Sequence, residues 1–163
     1  MRMPGSSQLE PPVSIRRELD ARRVRDQVVR RGYGVIRVKR TYEPPSRGDG
    51  TRILVERLWP RGMKKDALEA DAWLKDVAPT GALRTWFGHR VERWDEFRAR
   101  YQAELDAHPD AWEPIVEDAR HGPVTLLYSA RDTEHNGALV LRDYLNGRTR
   151  RPRKTGRARR PRA

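Results

Sequence analysis

Two short stretches of this chain concentrate the side chains that could do chemistry. In residues 52–65, R-I-L-V-E-R-L-W-P-R-G-M-K-K, an apolar run breaks into Glu56, Arg57, Trp59, Arg61 and Lys64. Arginine forks pair with carboxylate or phosphate oxygens through two hydrogen bonds, and lysine adds a point charge. Glu56 and Arg57 are the candidate catalytic pair, with Glu56 as base or hydrogen-bond acceptor. Arg61 and Lys64 are candidate anion ligands, and Trp59 offers a flat face for a base or sugar. The segment lacks the Gly-x-x-x-x-Gly-Lys-Ser/Thr spacing of a phosphate-binding loop. The same residues also suit packing, with Glu56 and Arg57 paired to neighbours and Trp59 laid over a sheet edge.

The second stretch is Y-S-A-R-D-T-E-H-N at 128–136. Tyr128, Ser129, Arg131 and Asn136 are candidate ligand-binding residues, in a polar loop that opens a helix, where anions are favoured. Asp132 or Thr133 is expected to cap that helix. Ser129 does not sit in a Gly-x-Ser-x-Gly elbow, which argues against a serine nucleophile. His89, His108, His121 and His135 show no metal-ligand spacing, so neither a metal nor a cofactor is expected.

These stretches need elements to hold them. Alternation of apolar and basic residues predicts a strand over 35–42, and the apolar run predicts a second over 52–58. The Pro, Gly and Asp content of 43–50 reads as a loop. A short extended piece is expected near 73–77, then a helix capped by Thr80 with Leu83, Trp86 and Phe87 facing inward. Trp94, Phe97, Tyr101 and Leu105 make an apolar stripe in a helix over 91–107. Another helix is expected over 110–120, with Pro114 tolerable only in its first turn. The continuous run V-T-L-L-Y at 124–128 suits a central strand covered on both faces. A last helix over 136–146 would end at Gly147 as its C-cap. The expected fold is a small single α/β domain whose sheet is at least partly parallel and flanked by helices.

The net charge of +12 is unevenly spread. Residues 148–163 hold nine basic side chains and no acid, and residues 1–34 carry a net +4. With those flanks removed, residues 35–147 carry −1. The chain is therefore expected to divide into an N-terminal extension over 1–34, where 15–31 could form a basic helix, the α/β domain over 35–147, and an Arg-rich tail over 148–163 expected to be disordered. Such a tail would associate with nucleic acid or acidic surfaces by counterion release, or simply remain solvated. The absence of cysteine excludes disulfides and thiolate catalysis. No apolar run reaches membrane-span length, so no membrane partner is expected and a cytoplasmic location is.

K-R-T-Y at 39–42, G-T-R-I-L-V-E-R-L-W-P-R-G-M-K-K at 50–65, F-R-A-R-Y-Q-A-E-L at 97–105 and V-T-L-L-Y-S-A-R-D at 124–132 together resemble the YeaO-like branch of domain of unknown function family 488 (DUF488). The resemblance implies a small bacterial α/β protein from a family without an assigned activity. It implies that the 52–65 and 128–136 segments are the family signature. The wider family carries an acidic-arginine pair, usually with aspartate, after one strand and a cysteine motif after the last. Here the pair is Glu56-Arg57 and no cysteine follows Tyr128. Gly137 stands where a larger residue is usual.

Three functions remain open at this point. The domain binds or acts on a small anionic ligand such as a nucleotide or sugar phosphate, clamped by Arg57, Arg61 and Arg131 with Trp59 or Tyr128 stacking. Alternatively the chain is a non-specific nucleic-acid-associated protein using its Arg-rich tail, or an interaction module without catalysis. Whether it is an enzyme, and its oligomeric state, are not decided by these residues.

Overall fold

The computed structural model describes residues 33–149. The expectations for the 1–34 extension and the 148–163 tail fall almost wholly outside those residues. Four strands form one sheet: β1 (Ile36–Arg40), β2 (Thr51–Leu54), β3 (Ala72–Trp73) and β4 (Val124–Tyr128). Their spatial order is β1-β4-β2-β3 and every pairing is parallel. The last strand in sequence is thus inserted between the first two. All five residues of β4 are buried, as a strand bonded on both edges and covered on both faces requires.

The helices are α1 (Lys65–Leu68), α2 (Gly81–Phe87), α3 (Trp94–Ala107), α4 (Pro109–His121) and α5 (Gly137–Thr149), with 3-10 turns at Arg47–Asp49 and Val91–Arg93. Among the described residues no helix is long and apolar enough to cross a membrane. Helices α2 to α5 cover one sheet face. There Ile36, Ile53, Val55, Leu126 and Tyr128 meet Phe87, Phe97, Tyr101, Ile115, Leu141 and Leu145 in one apolar cluster. Among the described residues the opposite face is thinly covered. Its apolar part is Leu54, Leu68 and Leu127, flanked by Trp59, Met63, Ala70 and Trp73.

Polar groups complete that thin face. Arg52, 5% exposed, has its guanidinium bonded to Asp49, to Leu68 O at 2.8 Å and to Glu69 O at 3.1 Å. Lys39 Nζ reaches Asp49 at 3.1 Å, and Thr125 Oγ1 donates to Asp49 O at 2.7 Å. The Arg52 backbone N–H donates to Asp71 Oδ2 at 2.8 Å. This cluster joins β1, β2, β4, the C-terminus of α1 and the entry to β3. Asp49 is placed by the turn before β2, where Gly50 has φ 64° and a Cβ would lie 2.0 Å from Pro123 O. Only glycine fits that conformation and that approach.

Several boundaries differ from the sequence expectation. The second strand ends at Leu54, not 58. Val55 N still bonds Leu127 O at 3.3 Å, but Glu56 then turns toward the loop after β4 and Leu58 is 68% exposed. The extended piece expected near 73–77 is Ala72–Trp73. The helix expected from 91 opens with a 3-10 turn and becomes α-helical at Trp94. Pro114 lies inside α4 beyond its first turn. Both Pro114 and Asp110 are exposed, so the carbonyl that loses its donor faces solvent. Gly147 does not end α5, which continues to Thr149. Arg148 holds the extra turn: its guanidinium lies over Trp112 and Tyr144 at 5.0 and 4.4 Å and bonds Asp106 at 2.6 Å. Thr80 caps α2 as expected, its Oγ1 accepting Leu83 N–H at 3.3 Å.

Burial alone would push the Asp49 carboxyl up, but hydrogen bonds from the Ser46 N–H and hydroxyl, Lys39 and Arg52 outweigh it and hold the group well below the usual carboxylate range. Its stabilising contribution is therefore complete above the unfolded-state value of 3.8 and is lost as pH falls below it. Urea unfolding should show Asp49→Ala destabilised by about 3–5 kcal/mol at neutral pH, because Arg52 is left buried without its anion. Asp49→Asn should flatten the loss of stability that the unsubstituted chain shows below about pH 4.

Candidate functional site

At the carboxyl ends of β2 and β4 the chain leaves the sheet in two loops, and between them lies a cleft of about 640 Å³. Crevices at strand ends are the usual ligand positions of open parallel sheets. The 55–61 loop, the 78–89 segment with α2, and the 128–138 loop leading into α5 form its sides, with Phe97 of α3 at its base. Val55, Phe87, Phe97, Tyr128 and Ala138 give it an apolar floor.

Glu56 is fixed at both its main chain and its carboxylate. Trp73 Nε1 donates to Glu56 O at 2.6 Å. Ser129 N–H donates to Oε1 at 2.7 Å and Ser129 O–H to Oε2 at 2.6 Å. The carboxylate thus bridges the two strand ends. Arg57 turns the other way, with Nε donating to Pro79 O at 2.9 Å and Nη2 to Ala78 O at 3.3 Å. Tyr101 O–H takes the preceding carbonyl, Val77 O, at 2.6 Å. Glu104 accepts from Thr80 N and Oγ1 at 3.0 and 2.6 Å. Residues 77–80, which carry the cleft-lining Ala78 and Pro79, are tied down in this way. Across from them Gly137 begins α5, where a Cβ would meet Pro79 Cγ at 3.3 Å, so the glycine sets how closely the two sides approach.

Of the residues singled out in the sequence, Glu56, Arg57, Trp59, Arg61, Tyr128, Ser129 and Asn136 line this cleft. Lys64 and Arg131 are exposed and are not among its lining residues. Trp59 Nε1 donates to Met63 O at 2.6 Å, and its ring meets Trp73 edge-on at 5.3 Å. The indole therefore closes its own loop as well as reaching the cleft. Asn136 is 4% exposed and acts as the cap of α5, accepting Leu139 N–H at 3.1 Å and donating to Asp132 O at 3.0 Å. The capping role expected of Asp132 or Thr133 falls to Asn136. Asp132 instead braces the turn before it, accepting the Glu134 and His135 N–H groups at 2.8 and 2.9 Å. The Glu134 N–H first, then the His135 N–H and ring, hold its carboxyl below the ordinary value against the opposing effect of burial. Burial pushes the Tyr128 phenol up, assisted by Glu43 and opposed by Arg40, so the hydroxyl stays protonated at neutral pH.

The structure adds residues that the sequence pattern did not select. Arg84, His89 and His135 also line the cleft. His135 Nδ1 lies 3.0 Å from Asp132 Oδ2, and its ring stands edge-on to Trp94 at 5.2 Å. His89 sits at φ 55°, in the left-handed region uncommon for non-glycine residues. Among the described residues the cleft thus carries three arginines, Arg57, Arg61 and Arg84, against the single carboxylate of Glu56. Among the described residues no group of three or more His, Cys, Asp or Glu is placed to hold a metal ion.

The family described as "Inactive DUF488-N3 subclade" matches residues 35–162. The chain belongs to the DUF488 family. It is 46% identical over 110 residues to "Uncharacterized protein YeaO" of Escherichia coli, an alignment that covers 68% of this chain and 96% of the relative. It is 42% identical over 113 residues to "Uncharacterized protein Rv3073c" of Mycobacterium tuberculosis, covering 69% of this chain and 95% of the relative. No solved structure matches the chain. The DUF488 assignment agrees with the resemblance carried by the 50–65 and 124–132 motifs, and those motifs supply both strand-end loops of the cleft.

Because Arg57 already serves two backbone carbonyls, its replacement should register in folding as well as in any binding. Arg57→Leu is expected to lower stability by about 1–3 kcal/mol, the cost of leaving part-buried acceptors unsatisfied. Equilibrium urea unfolding of the two chains without ligand measures this.

Proposed function

We propose that this domain binds a small anionic ligand of the nucleotide or sugar-phosphate class in the strand-end cleft and holds it without chemical turnover. The observation that carries the reading is the charge of the lining: three arginines against one carboxylate, in a domain segment whose net charge is −1. Positive charge is therefore concentrated here rather than spread over the fold. Arg61 and Arg84 are exposed at the mouth, where their forks suit phosphate oxygens. The apolar floor and the size of the cleft suit a ligand of mononucleotide dimensions.

Binding without turnover is supported by the state of the polar groups. The carboxylate of Glu56 is occupied by both donors of Ser129, and the chain has no cysteine to act as nucleophile. The description of the matched subclade as inactive points the same way. The Arg-rich stretch 148–163 supports a separate, sequence-independent association with nucleic acid that does not involve the cleft. A cytoplasmic location suits both activities.

A thermal-shift and calorimetric screen of nucleoside monophosphates and sugar phosphates at low salt tests the proposal. A saturable rise in melting temperature is expected, with Arg61→Ala plus Arg84→Ala weakening binding by about tenfold or more, equivalent to about 1.4 kcal/mol. The phosphorus NMR spectrum of the bound compound should stay unchanged over hours. No shift with any member of the panel would overturn the binding reading, and appearance of a product would overturn the absence of turnover.

A further inference from the structure

The inner polar groups of the cleft differ in kind from the arginines at its mouth. Glu56 accepts a hydrogen bond on each oxygen, from Ser129 N–H at 2.7 Å and Ser129 O–H at 2.6 Å. Each carboxylate oxygen retains a further lone-pair position. Ser129 has spent its only hydroxyl proton on Glu56, so its Oγ offers lone pairs alone. His135 is oriented by Asp132, whose carboxylate can only accept. Nδ1, 3.0 Å from Asp132 Oδ2, must therefore carry a proton, which leaves Nε2 as the ring nitrogen open to a ligand hydroxyl. Trp94 packs edge-on against the ring at 5.2 Å.

Glu56, Ser129 and His135 all line the same cleft. Glu56 and Ser129 keep only acceptor positions there, because the hydrogen bonds between them use both Ser129 donors. A purely anionic ligand would be repelled by this end. A ligand must bring hydroxyl or amine hydrogens to it, and the Tyr128 hydroxyl nearby can return a hydrogen bond to such a group.

We infer that the cleft is polarised for a phosphate ester that also carries neighbouring hydroxyl groups, with the phosphate toward Arg61 and Arg84 and the hydroxyls toward Glu56, Ser129 and His135. The ligand class is thereby narrowed to ribose phosphates and ribonucleotides over their deoxy counterparts. This rests on the anion-binding reading above and adds selectivity to it. The rejection has a physical source: a ligand lacking one hydroxyl leaves a desolvated acceptor without a donor.

The test uses the unmodified full chain. Isothermal titration compares ribose 5-phosphate with 2-deoxyribose 5-phosphate, and adenosine monophosphate with its 2′-deoxy analogue. The ribo compound of each pair should bind at least about tenfold more tightly. His135→Phe, which keeps a ring beside Trp94 but removes Nε2, should reduce that ratio. Equal affinities within both pairs would overturn the selectivity and leave anion binding standing. Binding by none of the four compounds would overturn both.

Discussion

The buried pair of Asp49 and Arg52 is the constraint on which this fold turns. A charge inside a protein is tolerable only where partners satisfy all of it, and here the partners come from every part of the thin sheet face. Arg52 reaches the last carbonyls of α1 as well as Asp49, while Asp49 collects Lys39 and the Ser46 turn and Thr125 bonds its carbonyl. The arrangement fixes β1, β2 and β4 against one another on a side where, among the described residues, three leucines form the buried apolar cluster. Polar specificity does there what apolar volume does on the helical face. The same pair explains why an arginine can occupy the middle of a parallel sheet.

With the sheet fixed on that side, the cleft is free to be built by loops. Its floor belongs to the helical core, so Phe87, Phe97 and Tyr128 are held by packing. Its sides are held by hydrogen bonds to backbone carbonyls, from Arg57 and Tyr101 on one side and Trp73 at Glu56. The groups that face the interior are few and mostly pre-positioned. A ligand entering such a site meets little that must be ordered first, which lowers the entropic cost of binding.

Much of this was legible in the sequence because the signals are local. V-T-L-L-Y at 124–128 could be read as a central strand, since no other element needs five consecutive buried residues. The stripe from Phe97 to Leu105 and the Thr80 cap are equally local. The signal failed where a distant contact decides the outcome. Gly147 reads as a helix terminator, yet Arg148 finds Trp112, Tyr144 and Asp106 and carries the helix past it. Strand β2 reads as continuing through Leu58, yet Glu56 is drawn away by Ser129, 73 positions later. The candidate site divides in the same manner. Its strand-end loops stand out as polar runs after apolar ones. Arg84, His89 and His135 carry no spacing rule and join the cleft only through the packing of α2 and the turn braced by Asp132.

The position of β4 has a consequence for how the chain is made. Strands β1 and β2 never touch through their own hydrogen bonds; the slot between them is filled by residues 124–128. A ribosome releasing this polypeptide from its N-terminus therefore exposes Ile36, Ile53 and Leu54 long before their shared partner exists. Until Tyr128 emerges, the nascent segment can pair only β2 with the two residues of β3, too little to bury either face. The centre of the sheet is thus made after both of its neighbours, with α5 following it.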